Sequence, residues 1–214
     1  MTEFLLWGAA GSPYFRSVLM ALEEKAQPYR VRLVGIGETK GAEHLARHPF
    51  GRLPVCDHGD FRLYETQAIL RYVDQVCLGA ALHPDGARAQ ARMDQLMGIV
   101  DWYVFPQVSV PISAERIFAQ RFWNRPTDEA RVAAAVPQAR VCINEIARLM
   151  GAAPYLTGDK VSLADLMLAP HLAYFAATPE GAMLGEAGLG GWLERMRARP
   201  SFAATEPDRV AQAA

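Results

Sequence analysis

The sequence predicts an α/β domain followed by an all-helical one, and three observations carry that expectation. Strand, helix and strand patterns succeed one another between Phe4 and Leu33; a proline-marked strand, a hairpin and a second helix follow between Pro54 and Val76; and from Leu78 onward the apolar residues recur at helical spacing with no convincing strand pattern. The expected boundaries are 1–78 for the first domain, 79–86 for a linker carrying two glycines and Pro84, and 87–214 for the helical domain.

Phe4-Leu5-Leu6-Trp7 is a continuous apolar run of strand length, as expected of a central strand covered on both faces. A Gly-Ala-Ala-Gly turn leads to Ser12-Pro13, with Ser12 suited to an N-cap and Pro13 to the first helical position. Phe15, Val18, Leu19 and Leu22 then form one apolar stripe on a helix reaching about Lys25. Tyr29, Val31 and Leu33 alternate with Arg30 and Arg32, so the opening segment is a βαβ unit with a right-handed crossover. Gly35 to His48 is polar and turn-rich with a short helical middle.

Pro54 cannot donate to a β-ladder, so it belongs at the start or edge of a strand and leaves backbone groups beside it open. The strand runs from Pro54 to Asp57, turns at His58-Gly59-Asp60 and returns as Phe61 to Tyr64. Thr66 then caps a helix with Ile69, Tyr72, Val73 and Val76 on its inner face. In the helical domain, Met93, Leu96, Met97, Val100 and Val104 mark a long helix that ends where Pro106 and Pro111 interrupt the pattern. Thr127-Asp128-Glu129 caps the next helix, which carries Val132, Val136, Ile143, Ile146 and Met150, is kinked at Pro137 and stops at Gly151. Ser162-Leu163-Ala164-Asp165 is a capping-box variant opening a buried helix, which gives Asp165 a structural task. Trp192 to Arg199 is the last regular helix, followed by a polar tail expected to fray.

Composition narrows the function. Twenty-two Lys and Arg against 23 Asp and Glu leave a net charge of −1, so neither nucleic acid nor an anionic membrane is favoured as a partner. No apolar run reaches the roughly 18 residues of a membrane span, and no signal segment is recognisable, so a cytoplasmic location is expected. Cys56, Cys77 and Cys142 are widely spaced and read as buried free thiols; the five histidines show no metal spacing and read as structural or surface residues.

The chemistry concentrates around Pro54. An open backbone edge beside it, a helix start with the Thr66 hydroxyl for a carboxylate, and Glu65 for an ammonium group suit a small peptide with a free α-amino acid end, such as glutathione. The motif Pro49-Phe50-Gly51-Arg52-Leu53-Pro54 with Glu65-Thr66 resembles that of the cytosolic glutathione S-transferases, over nearly the whole chain. The resemblance implies a thioredoxin-like first domain with a cis-proline, an all-helical second domain, and glutathione contacts from Leu53, Pro54, Glu65 and Thr66. Thr66 stands where the family usually has serine. Gly37-Glu38-Thr39-Lys40 and its spacing to Pro49 are similar to the phi class, where a His-Lys pair and a Gln meet the glycyl end; Thr39, Lys40 and Arg52 occupy those places. Lys40 and Arg52 either meet the glycyl carboxylate by charge-assisted bonds or are solvated surface charges.

Ser12-Pro13-Tyr14-Phe15 stands where glutaredoxins carry Cys-Pro-Tyr-Cys, so both redox sulfurs are absent. Ser12 is then the candidate catalytic residue: a hydroxyl at a helix N-terminus stabilises a bound substrate's thiolate, which otherwise forms only near pH 8.5. The plain alternative is an N-cap, and both roles are compatible; Tyr14 is a second hydroxyl on the same turn. For an apolar electrophile, Trp102, Tyr103, Phe105, Phe118, Phe122 and Trp123 gather within one stretch, with Tyr174 and Phe175 on a later helix. These rings either line a pocket or fill a core.

The resemblance implies a glutathione transferase acting in detoxification, with glutathione as cosubstrate, no permanently bound cofactor, and a homodimer in which Phe50 enters the partner. Phe50 buried within its own subunit is the alternative. Peroxide reduction or isomerisation could use the same site, although the isomerase class carries Ser-Ser-Cys where this chain has Gly11-Ser12-Pro13. A non-catalytic module binding apolar ligands or proteins is the reading from another class.

Overall fold

The computed structural model describes residues 3–213, apart from the side chain of Ile36. The chain forms two compact units: one runs to Leu82 and takes in the chain again from Arg197, and the other is His83–Met196.

In the first unit, strands β1 (Phe4–Gly8), β2 (Tyr29–Leu33), β3 (Val55–His58) and β4 (Phe61–Tyr64) form one sheet in the order β2-β1-β3-β4. β1 and β2 are parallel, as a βαβ crossover requires, and the other two pairings are antiparallel. Between β1 and β2 lies α1 (Pro13–Glu24), and after β4 comes α3 (Thr66–Val76); a 3₁₀ turn (Ile36–Lys40) and α2 (Ala42–Arg47) separate β2 from β3. Phe15, Val18, Leu19 and Leu22 of α1 are all buried, as their spacing predicts.

Three expectations for this unit need correction. β1 is buried on one face only: Phe4 and Leu6 are enclosed, whereas Leu5 and Trp7 are half-buried. Trp7 is covered by a side chain, the Arg47 guanidinium of α2 lying 3.9 Å from its ring centroid. The inner face of α3 runs through Ile69, Leu70 and Val73, with Val76 exposed, because Thr66 and Leu70 continue the buried stripe that Tyr72 and Val76 were expected to share. The tail after Arg199, expected to fray, is helical among the described residues. It forms α10 (Pro200–Ala204) and α11 (Pro207–Ala213), and Phe202 is buried beneath the Arg16 guanidinium, 3.9 Å from its ring centroid. Arg16 also donates to the Phe202 carbonyl at 2.8 Å and to Glu206 Oε1 at 2.6 Å, while Arg199 and Ser201 donate to Glu24. Arg16 and Glu24 of α1 therefore hold the tail together with the burial of Phe202 and Val210.

A buried ion pair fixes the far ends of α1 and α3. Lys25 Nζ lies 2.7 Å from Asp74 Oδ1 with both side chains almost fully enclosed. The ammonium also donates to the Ala80 carbonyl, and Asp74 accepts from the Leu82 N–H, so each charge has the further hydrogen bonds that burial demands.

The second unit contains α4 (Ala87–Ile99), a π-helical stretch (Val100–Ala114), α5 (Glu115–Trp123), α6 (Glu129–Met150), α7 (Leu163–Ala176), α8 (Ala182–Glu186) and α9 (Gly190–Arg197). The helix from Ala87 was expected to end at Pro106 and Pro111. Instead it widens into π turns that contain both prolines and runs on into α5. Each proline withholds one N–H, and packing of the stretch against α6 and α7 keeps the helix continuous despite the missing bonds. Asp128 caps α6, and Ser162 and Asp165 form the expected box at the start of α7. Asp165 is fully buried and accepts from the N–H groups of Leu156 and Ser162, the Ser162 hydroxyl and the Trp192 indole, a purely structural set. Burial pushes its carboxyl above the usual carboxylate range, against the opposing pull of these four donors.

Candidate functional site

Sheet register brings the predicted residues of the first unit to one edge. Trp7 of β1 is level with Val55 of β3, and Val55 with Tyr64 of β4. One step beyond this row lie the exit of β1 towards Ser12, the Leu53–Pro54 peptide entering β3, and Glu65-Thr66 leaving β4. Both α1 and α3 begin at this edge, so the positive dipole ends of two helix N-termini lie there.

Ser12 is the N-cap of α1, in extended backbone conformation, and its Oγ accepts from the Phe15 N–H at 3.3 Å. That bond uses an oxygen lone pair and leaves the hydroxyl hydrogen to donate to another group. Gly8 makes the turn possible: a Cβ there would stand 2.1 Å from the Phe15 ring.

The Leu53–Pro54 peptide bond is cis. Among the described residues, neither the N–H nor the carbonyl of Leu53 has a hydrogen-bond partner, so this half-buried residue presents a free backbone edge. The preceding turn is tightly held. Gly51 has φ +61°, and a Cβ on it would lie 2.7 Å from the Thr39 carbonyl and 2.9 Å from Lys40 Nζ. Only glycine combines that conformation with that approach. Lys40 Nζ donates to the Phe50 carbonyl at 3.3 Å, so Thr39 and Lys40 lie against the same corner as Arg52, whose side chain is exposed.

Thr66 is buried as the first residue of α3, and the cap position belongs to Glu65, one residue earlier than expected. Glu65 is exposed with φ +71°, a region costly for a residue with a Cβ. Such strain, on the order of 1–3 kcal/mol, persists where the surroundings over-determine a conformation, commonly at ligand sites. The three cysteines are buried and read as inert; burial pushes the Cys56 thiol up to about 12. Among the described residues no cluster of His, Cys, Asp or Glu could hold a metal ion, and no helix is long and apolar enough to cross a membrane.

Two family models match the chain: the glutathione S-transferase N-terminal domain over residues 11–76 and the C-terminal domain over residues 129–211. Probable glutathione S-transferase GSTF1 of Oryza sativa subsp. japonica is 31% identical over 206 residues, covering 94% of each chain. The chain belongs to the glutathione S-transferase family. Its relatives are phi-like. The solved structure of glutathione S-transferase-I with lactoylglutathione is 25% identical, covers 95% of this chain and 98% of its own, and has a TM-score of 0.84. A glutathione transferase from Populus trichocarpa, 24% identical over 98% of this chain and 100% of its own, shares the fold with a TM-score of 0.87.

Within the family's helical unit, the predicted aromatics do not act as one group. Phe118 packs against Phe122 and Tyr174 with ring centroids 5.4 and 5.5 Å away. Phe105 stands edge-on to the buried His171, which shares a 2.8 Å hydrogen bond with Ser109. Trp102 and Tyr103 are 77% and 52% exposed, Phe122 and Trp123 are exposed as well, and Phe175 is core. Tyr14 is half-buried on the first turn of α1.

α5, which carries Phe118 and Phe122, is anchored by two adjacent charged residues that belong to no motif in the sequence. The buried Glu115 carboxylate is paired with Arg125, accepts from the Asp128 N–H at 2.9 Å and lies 3.4 Å from Arg131. The Arg125 bond, chiefly, holds its carboxyl down at about 2. Arg116 reaches Glu180 and Glu129, both at 2.6 Å. A Glu-Arg pair on a helix otherwise patterned by aromatics was the available signal.

Proposed function

We propose that the sheet edge binds glutathione and that Ser12 stabilises its thiolate for attack on an apolar electrophile. The Leu53 N–H and carbonyl pair with the cysteinyl unit. Thr66 and the α3 N-terminus hold the γ-glutamyl carboxylate, Glu65 its ammonium group, and Thr39, Lys40 and Arg52 the glycyl end. The observation that carries this reading is the Ser12 hydroxyl: its oxygen is engaged by Phe15 and its hydrogen is left to donate at a helix N-terminus. A hydrogen bond to an anion contributes about 1.5–3 kcal/mol. A donor reserved for the anion therefore lowers the thiol pKa and raises the thiolate fraction at neutral pH.

The thiol proton passes to solvent, the sulfur forms a bond to the electrophilic carbon, and a leaving group departs with its electron pair, or an activated double bond accepts one. The electrophile is apolar, a reading supported by the exposed rings Trp102, Tyr103 and Phe122, with Phe105, Phe118 and Tyr14 as further candidates. Phe50, 66% exposed beside His48 and Tyr64, supports a homodimer in which its ring enters the partner subunit; its exposure removes the alternative of burial within its own subunit. Cytoplasmic detoxification of apolar electrophiles is the physiological setting we propose.

Ser12→Ala tests the assignment. Conjugation at neutral pH should fall by about 10- to 100-fold, the equivalent of the anionic hydrogen bond, with glutathione affinity changed far less. An unchanged rate and pH profile would remove Ser12 from the chemistry.

A further inference from the structure

We infer that His44 is a positioning residue for glutathione: its imidazole holds the Arg52 carbonyl and thereby aims the Leu53 N–H at the bound peptide. The inference rests on the glutathione reading of this edge and assigns a role to a side chain that touches no substrate.

His44 Nε2 lies 2.8 Å from the Arg52 carbonyl oxygen. A carbonyl only accepts, so Nε2 carries the hydrogen. The peptide unit joining Arg52 to Leu53 is rigid and planar, with its carbonyl and N–H pointing in opposite directions. Fixing the Arg52 oxygen therefore fixes the direction of the Leu53 N–H, the group left without a partner among the described residues. The imidazole is well suited to that task because it has no freedom of its own. It is 2% exposed, and its ring stands 6.4 Å from that of His48, which is 4.6 Å from Tyr64 at the end of β4.

The neighbouring bonds divide the work. Lys40 holds the Phe50 carbonyl and the Gly51 N–H donates to the His48 carbonyl at 2.8 Å, so the turn is fixed at three successive residues. Of these, only the His44 bond acts on the peptide that carries the free N–H. His44 Nδ1 is buried with no partner, so a cost of burying that nitrogen accompanies the Nε2 contact. An apolar residue would fill the space on α2 without that cost, which argues that the contact to Arg52 is what the imidazole provides.

The test compares His44→Gln, whose amide nitrogen can reach the Nε2 position, with His44→Asn, whose shorter side chain cannot. Titration calorimetry with glutathione and steady-state conjugation kinetics are measured on both variants and on the unmodified protein, with thermal melts to establish folding. The expected result is a glutathione Kd and KM within about twofold of the unmodified protein for His44→Gln and raised about fivefold for His44→Asn, the size of one neutral hydrogen bond, with kcat and the electrophile KM unchanged in both. Equal glutathione affinity in His44→Asn and the unmodified protein, or equal loss in both variants, would overturn the positioning role while leaving the glutathione reading intact. Absence of glutathione binding by the unmodified protein would overturn that reading and this inference with it.

Discussion

The sheet edge and the aromatic region of the helical unit are built on different physical terms. At the edge, the proposed contacts depend on fixed backbone geometry as well as side chains: the free Leu53 N–H and carbonyl, the hydroxyl of Ser12 at the start of α1, and two glycines, Gly8 and Gly51, that admit close approach. In the helical unit, the candidate groups are side-chain rings whose exposure depends on how the helices run. Where backbone approach is this close, as at Gly8 and Gly51, no side chain can be added without moving the turn, whereas a separate, exposed ring can be lost with little consequence for its neighbours.

The largest expected effect sharpens this contrast at a distance from the site. Asp74→Ala leaves Lys25 buried and uncompensated, which should destabilise the first unit by about 3–5 kcal/mol, read by chemical denaturation. The α1 and α3 N-termini should lose their shared placement with it. An effect under 1 kcal/mol would show that the pair does not anchor the edge. Next, Gly51→Ala forces a Cβ against Thr39 and Lys40 at φ +61° and should cost about 1–3 kcal/mol, with weakened glutathione binding. If affinity and stability were both unchanged, the tight corner would not be a requirement of the site.

The helical unit should respond to acid. Burial pushes His171 down to about 3, so between about pH 6.5 and 3 the unfolded chain binds a proton that the folded chain refuses. Stability from this group is therefore lost as pH falls through that window. Asp165, raised by burial, acts in the opposite sense. His171→Gln should flatten the acid-side loss measured by thermal melts from pH 7 to 4, and an identical slope would place its origin elsewhere. The smallest effect is expected of a single ring: Phe122→Ala, at an exposed position, should raise the electrophile KM only about two- to fivefold and leave the glutathione KM alone, consistent with the modest contribution of one aromatic contact.

The edge was largely legible in the sequence because its signals are local. Pro54 cannot sit in a central ladder, Ser12-Pro13 cannot easily be anything but a helix start, and the hairpin is marked by its turn residues, although β3 also takes in His58, which pairs with Phe61. Two features there depend on the folded backbone. Glu65, not Thr66, caps α3, because the backbone at Glu65 turns to positive φ before the helix begins. His44 looked like one of several unremarkable histidines until the turn after Pro49 folded back onto it. The helical tail is not legible locally because its anchors, Arg16 and Glu24, lie on α1, far away in sequence. In the helical unit, Pro106 and Pro111 are local stop signals overridden by packing against α6 and α7, and with the helix path misread, the exposure of individual rings could not follow.

Ser12 and the α1 N-terminus are proposed to stabilise a thiolate on bound glutathione. The most direct measurement is the ultraviolet difference spectrum of the protein with glutathione, titrated from about pH 5 to 9 against a free-thiol pKa of about 8.5. Thiolate formation is expected at least one pH unit below the free value in the unmodified protein, with a return towards it in Ser12→Ala. Glutathione that binds and ionises at its free value in both proteins would contradict it.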